Sequence, residues 1–383
     1  MISSDTERIS KEKSRENVLG DRQMSSEQQT KKNSTKKKNQ KKKIILIVVE
    51  LIVLVVLAVA LYGISKLNKI ERDDGFVQDD VEVNEDIQSE TIEVMDNFET
   101  IAVFGLDNRS NGNLSSGNSD VIIIVTIDNE TKEVKMCSVY RDTYLDIGGG
   151  KFRKANSAFT SGGAQSAISM LNKNLDLNIT DYVTVDFNAV VECIDLLGGV
   201  EMTITDEEAH FMIGYMEEIN KLTGHKSEVP ETGGTYVLDG VQATAYARIR
   251  YTTGDDYKRT ERQRDVIMAM AKKAQKSDLT TINKVIDAMF DDISTSYSNA
   301  DLIALAAQVF DYEITGSAGF PFAKNSITLG SKGSIVAPCT LETNVIELHK
   351  FLYGNETYEP SSTVRANSMK IESDTGYGVN DGF

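Results

Sequence analysis

Residues 245–263 read AYARIRYTTGDDYKRTERQ and place Arg248, Arg250, Lys258, Arg259 and Arg262 close together in a chain whose net charge is −17. Arg248 and Arg250 are two apart, a spacing that on a strand aims both at one face. Arg259 and Gln263 are four apart, which stacks them on one side of a helix. Guanidinium groups match phosphate oxygens in a planar, bidentate geometry. A lone RxR is most simply a solvated hairpin. Several cations converging within an acidic chain point instead to a phosphate or pyrophosphate site.

Oxygen ligands lie elsewhere in the sequence. Asp107 follows the apolar run IAVFGL and Asp120 opens DVIIIV. If the two runs pair as neighbouring strands, both carboxylates reach one end of a sheet, where ligands of open α/β folds bind. Two carboxylates together with phosphate oxygens suit Mg²⁺, which keeps waters and seldom takes an all-protein cage. Taken alone, two turn aspartates are the commoner reading of such positions. Arg141 ends the strand-like run KEVKMCSVY, with Asp142 beside it as an ion-pair partner, and Lys154 and Asn156 follow in RKANSAF. Asp256 lies three residues before Arg259, placed either to orient an arginine or to act as a base.

Other chemistries find no support. The three cysteines, Cys137, Cys193 and Cys339, have no metal spacing, and the three histidines do not cluster. Cys137 and Cys193 sit in apolar runs and read as buried thiols. The GGGK at 148–151 lacks the rest of a phosphate-binding loop and reads as a turn.

The elements that must position these groups follow from hydrophobic pattern. Residues 1–43 are polar and carry 13 basic and 6 acidic side chains, a charge of +7 that leaves −24 for the rest. They read as a disordered, basic, cytoplasmic tail. Residues 44–65 are almost wholly apolar; as a helix they span roughly 33 Å, enough for a bilayer core. Glu50 within them reads as a protonated or snorkelling carboxyl. The preceding lysines hold the N-terminus inside and send the rest of the chain out. The expectation is a single-pass cell-membrane protein with an extracellular domain. An acidic ectodomain excludes nucleic acid as a partner. Residues 66–97 read as an acidic extracellular linker, 98–355 as the folded domain, and 356–383 as a flexible C-terminal tail. Within the domain, strands (99–106, 120–128, 132–140, 181–187, 200–205) alternate with helices (164–175, 188–198, 259–276, 279–292, 299–312). That pattern predicts an α/β domain with a central mixed β-sheet covered by helices.

The segments FGLDNR (104–109), SD (119–120), YRDTYLDI (140–147), KANSAF (154–159), DYVTVDF (181–187), DLLGGVE (195–201), LDGVQATAYARIR (238–250) and DDYKRTERQ (255–263) occur in one order. In that order the chain resembles the LytR-CpsA-Psr family of Gram-positive envelope proteins over about 98–276, and the layout of tail, span and domain is the family's usual one. The resemblance implies a Mg²⁺-dependent phosphotransferase. Such an enzyme moves a glycopolymer, such as teichoic acid or capsule, from an undecaprenyl-pyrophosphate carrier to a peptidoglycan acceptor through a phosphodiester. Carried onto this chain, Asp107 and Asp120 would hold Mg²⁺. Arg141, Arg248, Arg250, Arg259 and Gln263 would grip the pyrophosphate, with Arg109, Lys154 and Arg262 as further contacts. Asp256 would be a base for the acceptor hydroxyl or a brace for an arginine. Asn118 stands where the family often has arginine, and Tyr140 where proline is usual. Two other readings use the same chain: a polyprenyl-pyrophosphate phosphohydrolase, with water as acceptor, and a non-catalytic envelope regulator or binding module.

Overall fold

The computed structural model describes residues 76–382 apart from 107–113, 115–116, 251–254, 290–292, 299–300, 303 and 306–307. In chain order the elements are α1 (Ser89–Met95), β1 (Phe98–Leu106), β2 (Ser119–Asp128), β3 (Glu133–Val139), β4 (Tyr144–Asp146), β5 (Phe152–Lys154), α2 (Ser157–Leu175), β6 (Asp181–Asp186), α3 (Phe187–Leu196), β7 (Val200–Ile204), α4 (Asp206–Thr223) and β8 (Gly234–Leu238). There follow α5 (Gly240–Arg248), α6 (Asp255–Ala274), α7 (Leu279–Met289), β9 (Ile293–Thr295), β10 (Glu313–Phe320), β11 (Lys324–Thr328), β12 (Ser334–Pro338), α8 (Leu341–Tyr353) and α9 (Ser362–Thr375).

The central sheet has strand order β10-β3-β2-β1-β6-β9. β1 pairs antiparallel with β2 and parallel with β6, and β3 pairs parallel with β10, so the sheet is mixed as expected. Alternation along the strands splits their side chains between two faces. Ala102, Phe104, Leu106, Ile122 and Ile124 join the main core with Phe159, Ile168 and Leu171 of α2 and Val345 and Leu348 of α8. Ile101, Val103, Val125 and Ile127 face the other way, towards Tyr297. Phe104 is fully buried, and truncating such a ring to alanine typically costs about 3–5 kcal/mol. A second cluster lies among α3, α4, α5, β7 and β8, built on Ile194, Met212, Met216, Val241 and Ala245. Here α5 crosses α3 closely. A Cβ on Gly240 would stand 2.1 Å from the Val191 carbonyl oxygen, so only glycine fits the crossing.

Two boundaries depart from the sequence expectation. The described part of the expected linker carries α1 and buries Ile87, Thr91 and Met95. The expected flexible tail contains α9, whose Val364 and Ile371 are buried in the main core. A single carboxylate ties the two flanks together. Asp176, at the left-handed C-cap of α2 (φ 50°), accepts from Asn84 Nδ2 at 2.6 Å, Tyr358 Oη at 2.5 Å and Ser361 N at 2.7 Å. A buried carboxylate must be satisfied by such donors, and here they come from both ends of the domain.

The span expected over 44–65 lies outside the described residues. Among those described, no helix is long and apolar enough to cross a membrane. The 148–151 segment is the turn between β4 and β5. Gly148, Gly149 and Gly150 all have positive φ, and the Asp146 carboxylate accepts from the Gly148 and Gly150 amides at 3.0 and 3.1 Å.

Candidate functional site

β1, β3, β6 and β10 all end at the edge of the sheet where β2 begins, as the pairs Leu106–Ser119, Leu106–Asp186 and Val139–Phe320 show. Asp120 is the second residue of β2, and Arg141 follows β3 by two residues. Arg141 Nη1 donates to Asp120 Oδ1 at 2.9 Å, and Arg250 Nη2 lies 3.6 Å from Asp120 Oδ2. The partner expected for Arg141, Asp142, is farther, at 3.9 Å from Nε. Asp107 and Arg109 lie outside the described residues.

α6 supplies the opposite wall. Its first turn is set against the end of β3 by Tyr257, whose ring meets that of Tyr140 with centroids 4.8 Å apart, and its body is tied to β10 by Arg264 Nε donating to Ser317 Oγ at 2.8 Å. The helix carries Asp256, Arg259 and Gln263 on one side, as the i, i+3, i+4 spacing requires. Arg259 is only 2% exposed and Gln263 8%. Asp256 Oδ1 lies 2.9 Å from Arg259 Nη2 and 3.8 Å from Arg141 Nε, so one carboxylate braces two guanidinium groups. Hydrogen-bonding capacity is left over. Among the described residues no acceptor reaches Arg259 Nε or Nη2 or Arg141 Nε with hydrogen-bond geometry, and no donor reaches Asp256 Oδ2, although all four atoms are buried.

Lys154 approaches from β5, with Nζ 3.1 Å from Asp142 Oδ1. Beside it a cleft of about 400 Å³ opens, reaching Arg141 and Asn118 on one side and Ser331 and Lys332 on the other.

Two of the expected phosphate ligands have carboxylate partners of their own. The stretch ending in Arg248 and Arg250 is not a strand. A capping box starts α5, with Asp239 accepting from Gln242 N at 2.8 Å and Gln242 Oε1 accepting from Asp239 N at 2.9 Å. Arg248 therefore falls in the last helical turn and Arg250 beyond it. Arg248 Nη2 lies 3.3 Å from Glu218 of α4, and its guanidinium stands 5.6 Å from the Tyr215 ring centre. Arg262, three residues on from Arg259, is engaged by α4 and the end of α5. Its Nε donates to Glu208 Oε1 at 2.8 Å and its Nη1 to the Ile249 carbonyl at 3.2 Å. These contacts make Arg262 a strut between α4, α5 and α6.

Burial sets the electrostatics. It pushes the Asp256 carboxyl above its ordinary range, although Arg259 and Arg141 pull the other way. It lowers the Arg259 guanidinium to about 10, against the pull of Asp256. Burial also opposes the charge on Arg141, but Asp120, Asp256 and Asp142 together hold its pKa above the usual value. Desolvation drives the shifts of Asp256 and Arg259, whereas neighbouring carboxylates decide that of Arg141.

What sequence reasoning missed is the far wall. Lys324, Ser331 and Lys332 come from the region after residue 320, where no motif marks them. Lys324 Nζ lies 4.9 Å from the Tyr257 ring centre and 5.4 Å from that of Tyr140.

Comparisons with known proteins bear on the family and the fold. Residues 59–317 match the sequence model of the LytR_cpsA_psr family. The chain is 30% identical over 210 residues to the polyisoprenyl-teichoic acid–peptidoglycan teichoic acid transferase TagU of Enterococcus faecalis; the match covers 54% of this chain and 64% of that protein. A solved protein from Streptococcus agalactiae superposes with a TM-score of 0.58 at 24% identity, covering 76% of this chain and 98% of that one. Bacillus subtilis TagT with bound octaprenyl pyrophosphate lipid superposes with a TM-score of 0.50 at 20% identity, covering 74% and 98%. These two structural likenesses bear on the fold alone. The family-model match over residues 59–317, most of the chain, shows that this chain belongs to the LytR-CpsA-Psr family.

Proposed function

We propose that this chain is a phosphotransferase that moves a glycopolymer from a polyprenyl-pyrophosphate carrier to a peptidoglycan hydroxyl. The observation that carries this reading is the Arg259–Asp256–Arg141 cluster at the strand ends, with Arg259 buried and N–H atoms of both arginines lacking acceptors among the described residues. A buried unpaired N–H costs about 1–3 kcal/mol, and a diphosphate would satisfy several at once. Family membership and the TagU relative support the same chemistry.

In the proposed reaction, the acceptor oxygen attacks the phosphorus that carries the glycan. The bond from that phosphorus to the bridging oxygen breaks, polyprenyl monophosphate leaves, and the hydroxyl proton is lost to a base or to water. Phosphoryl transfer asks the protein for position and charge more than for covalent help, which suits a site without a cysteine or histidine nucleophile. Arg141, Arg250, Arg259 and Gln263 would grip the diphosphate. Lys154 would reach it from the side, and Arg248 and Arg262 would hold the walls. Asp256 orients Arg259 and Arg141; this geometry favours the bracing role over that of base.

Among the described residues no group of three or more His, Cys, Asp or Glu could hold a metal, so the proposed Mg²⁺ would draw on substrate phosphate oxygens as well as protein carboxylates. Asp120, whose oxygens lie 2.9 and 3.6 Å from Arg141 and Arg250, would be one of these, and Asp107, the next residue after β1 in the sequence, the other. Arg141, Arg250, Arg259 and Lys154 stand against Asp120, Asp142 and Asp256, which leaves only one positive charge in excess. A diphosphate adds negative charge that one divalent cation would neutralise. Bound by Asp120 and Asp107, Mg²⁺ would supply that charge as a Lewis acid. The apolar run 44–65 would anchor the chain in the cell membrane as a single span, with the basic tail in the cytoplasm and the domain outside.

The test uses the full chain in bilayers with a labelled polyprenyl-pyrophosphate glycan and peptidoglycan strands. Label transfer that EDTA abolishes and Mg²⁺ restores is the expected result. Phosphate release that proceeds equally without peptidoglycan would replace the transferase with the hydrolase reading. Lipid binding without either reaction would favour a binding module.

A further inference from the structure

The cleft beside Lys154 adjoins the proposed diphosphate site, shares Arg141 and Lys154 with it, and extends beyond it to further cations. Arg141, Arg153, Lys154 and Lys332 line it against a single carboxylate, Asp142, within a chain of net charge −17. Its volume of about 400 Å³ falls in the range of small-molecule sites, ~300–1,000 Å³. Arg141 belongs to both walls. Its Nη1 is on Asp120 in the arginine cluster, and its side chain also borders the cleft. A group in the cleft would therefore lie next to the reacting phosphorus.

The far wall is built, not incidental. Ser331 and Lys332 sit in the 3₁₀ turn Gly330–Lys332 that joins β11 to β12. The hairpin is fixed to the site loop, because Val336 N donates to the Asp142 carbonyl at 2.9 Å and Val336 bridges Thr143. Tyr257 Oη and Ser326 Oγ, 2.8 Å apart, fix it to α6 as well. Lys332 is itself positioned. Its Nζ contacts Tyr144 Oη and lies 4.5 Å from the ring centre, while Tyr144, wholly buried, donates to Asp374 Oδ2 of α9 at 2.9 Å. A surface lysine would sample many rotamers. This one is held at the cleft rim by a chain of contacts that ends in the C-terminal helix.

We propose that this cleft is an anion subsite that takes a phosphate or carboxylate of the glycan substrates beside the diphosphate, with Lys332 as its specificity-determining residue. The proposal rests on the transferase reading. The anion belongs either to the transferred polymer, as in a phosphate-linked polyol, or to the acceptor, as in a lactyl or peptide carboxylate.

The experiment compares full-chain wild type, Lys332→Gln and Lys332→Arg, with Lys276→Gln as a surface control. Each is assayed with two polyprenyl-pyrophosphate donors, one bearing an uncharged oligosaccharide and one a phosphate-linked polyol. Each donor is paired with acceptor strands whose peptide and lactyl carboxylates are either free or amidated. Lys332→Gln is expected to lower the preference for the anionic substrate, read as a ratio of kcat/KM, by about tenfold. Lys332→Arg should restore it, and Lys276→Gln should leave it unchanged. Loss of preference in the donor arm assigns the anion to the polymer, and loss in the acceptor arm assigns it to the acceptor. Equal ratios for wild type and Lys332→Gln in both arms, with wild type active, would overturn the subsite alone. A wild type inactive with every substrate would instead overturn the transferase reading beneath it. Circular dichroism and thermal melting of each variant separate a local effect from loss of fold.

Discussion

At the residue scale, Arg259 and Asp256 are a matched pair, the guanidinium buried and the carboxylate partly exposed. Arg259→Lys keeps a charge but loses the planar fork. Transfer should fall about 100-fold, in the range for removing one preorganised donor from a reacting centre, and a kcat measurement at saturating donor checks it. Asp256→Asn tests the bracing role. A brace predicts a drop of about tenfold with an unchanged pH–rate profile, since the carboxylate only orients two guanidinium groups; loss of the acidic limb of the profile would instead make Asp256 the base. Arg262 belongs to a different argument. With side chains 5% and 13% exposed, Arg262 and Glu208 form a buried pair, and removing one partner strands the other. Glu208→Ala should cost on the order of 3 kcal/mol in denaturant unfolding, with donor KM unchanged in whatever fraction folds.

His349 offers a stability signature at the same scale. The ring is fully buried, stacked on Tyr358 at 3.7 Å, with Nε2 2.9 Å from the Leu175 carbonyl. Burial lowers its pKa from 6.5 to about 4. The unfolded chain therefore takes up this proton near pH 6.5, and the folded chain only near pH 4. Stability should fall as pH drops through that window and level off below it, by an amount on the order of 3 kcal/mol. Unfolding free energies of His349→Gln measured across the window should show a flatter slope.

At the element scale, the arginines of the site are distributed by where helices start and stop. Gln263 could be placed beside Arg259 from sequence because helical spacing is local and α6 is long. Arg248 could not, because its direction depends on the capping box that begins α5 and on Glu218 of α4, a tertiary partner. The C-terminal helix α9 escaped notice for a related reason. Its buried face mixes Val364 and Ile371 with Asn367 and Ser368, so the apolar period is thin. Asn367 Nδ2 donates to Asn174 Oδ1 at 3.1 Å, a contact that no periodicity announces. Deleting the chain after Asn355 should remove both the α9 packing and the Tyr358 and Ser361 donors to Asp176. The product should melt well below the full chain, as scanning calorimetry would show. An unchanged melting temperature would mean that the helix is not part of the fold's stability.

At the scale of the molecule, the mixed sheet was legible because its strands are bounded apolar runs and its helices are periodic. The meeting of Asp120, Arg141, Arg250 and Arg259 was legible only through the strand ends and the order of the motifs. The far wall was not, since it comes from the hairpin after residue 320. A cluster of arginines within a chain of net charge −17 makes ionic strength a lever on anion capture. The most direct measurement is the identity of the bond formed. The full chain in bilayers would be given the labelled carrier, Mg²⁺ and peptidoglycan, and the muramidase-digested product analysed by mass spectrometry. The account predicts a glycan joined to a muropeptide through one phosphate, present with wild type and lost with Arg259→Ala. A product lacking that phosphate, or formed equally by Arg259→Ala, would contradict it.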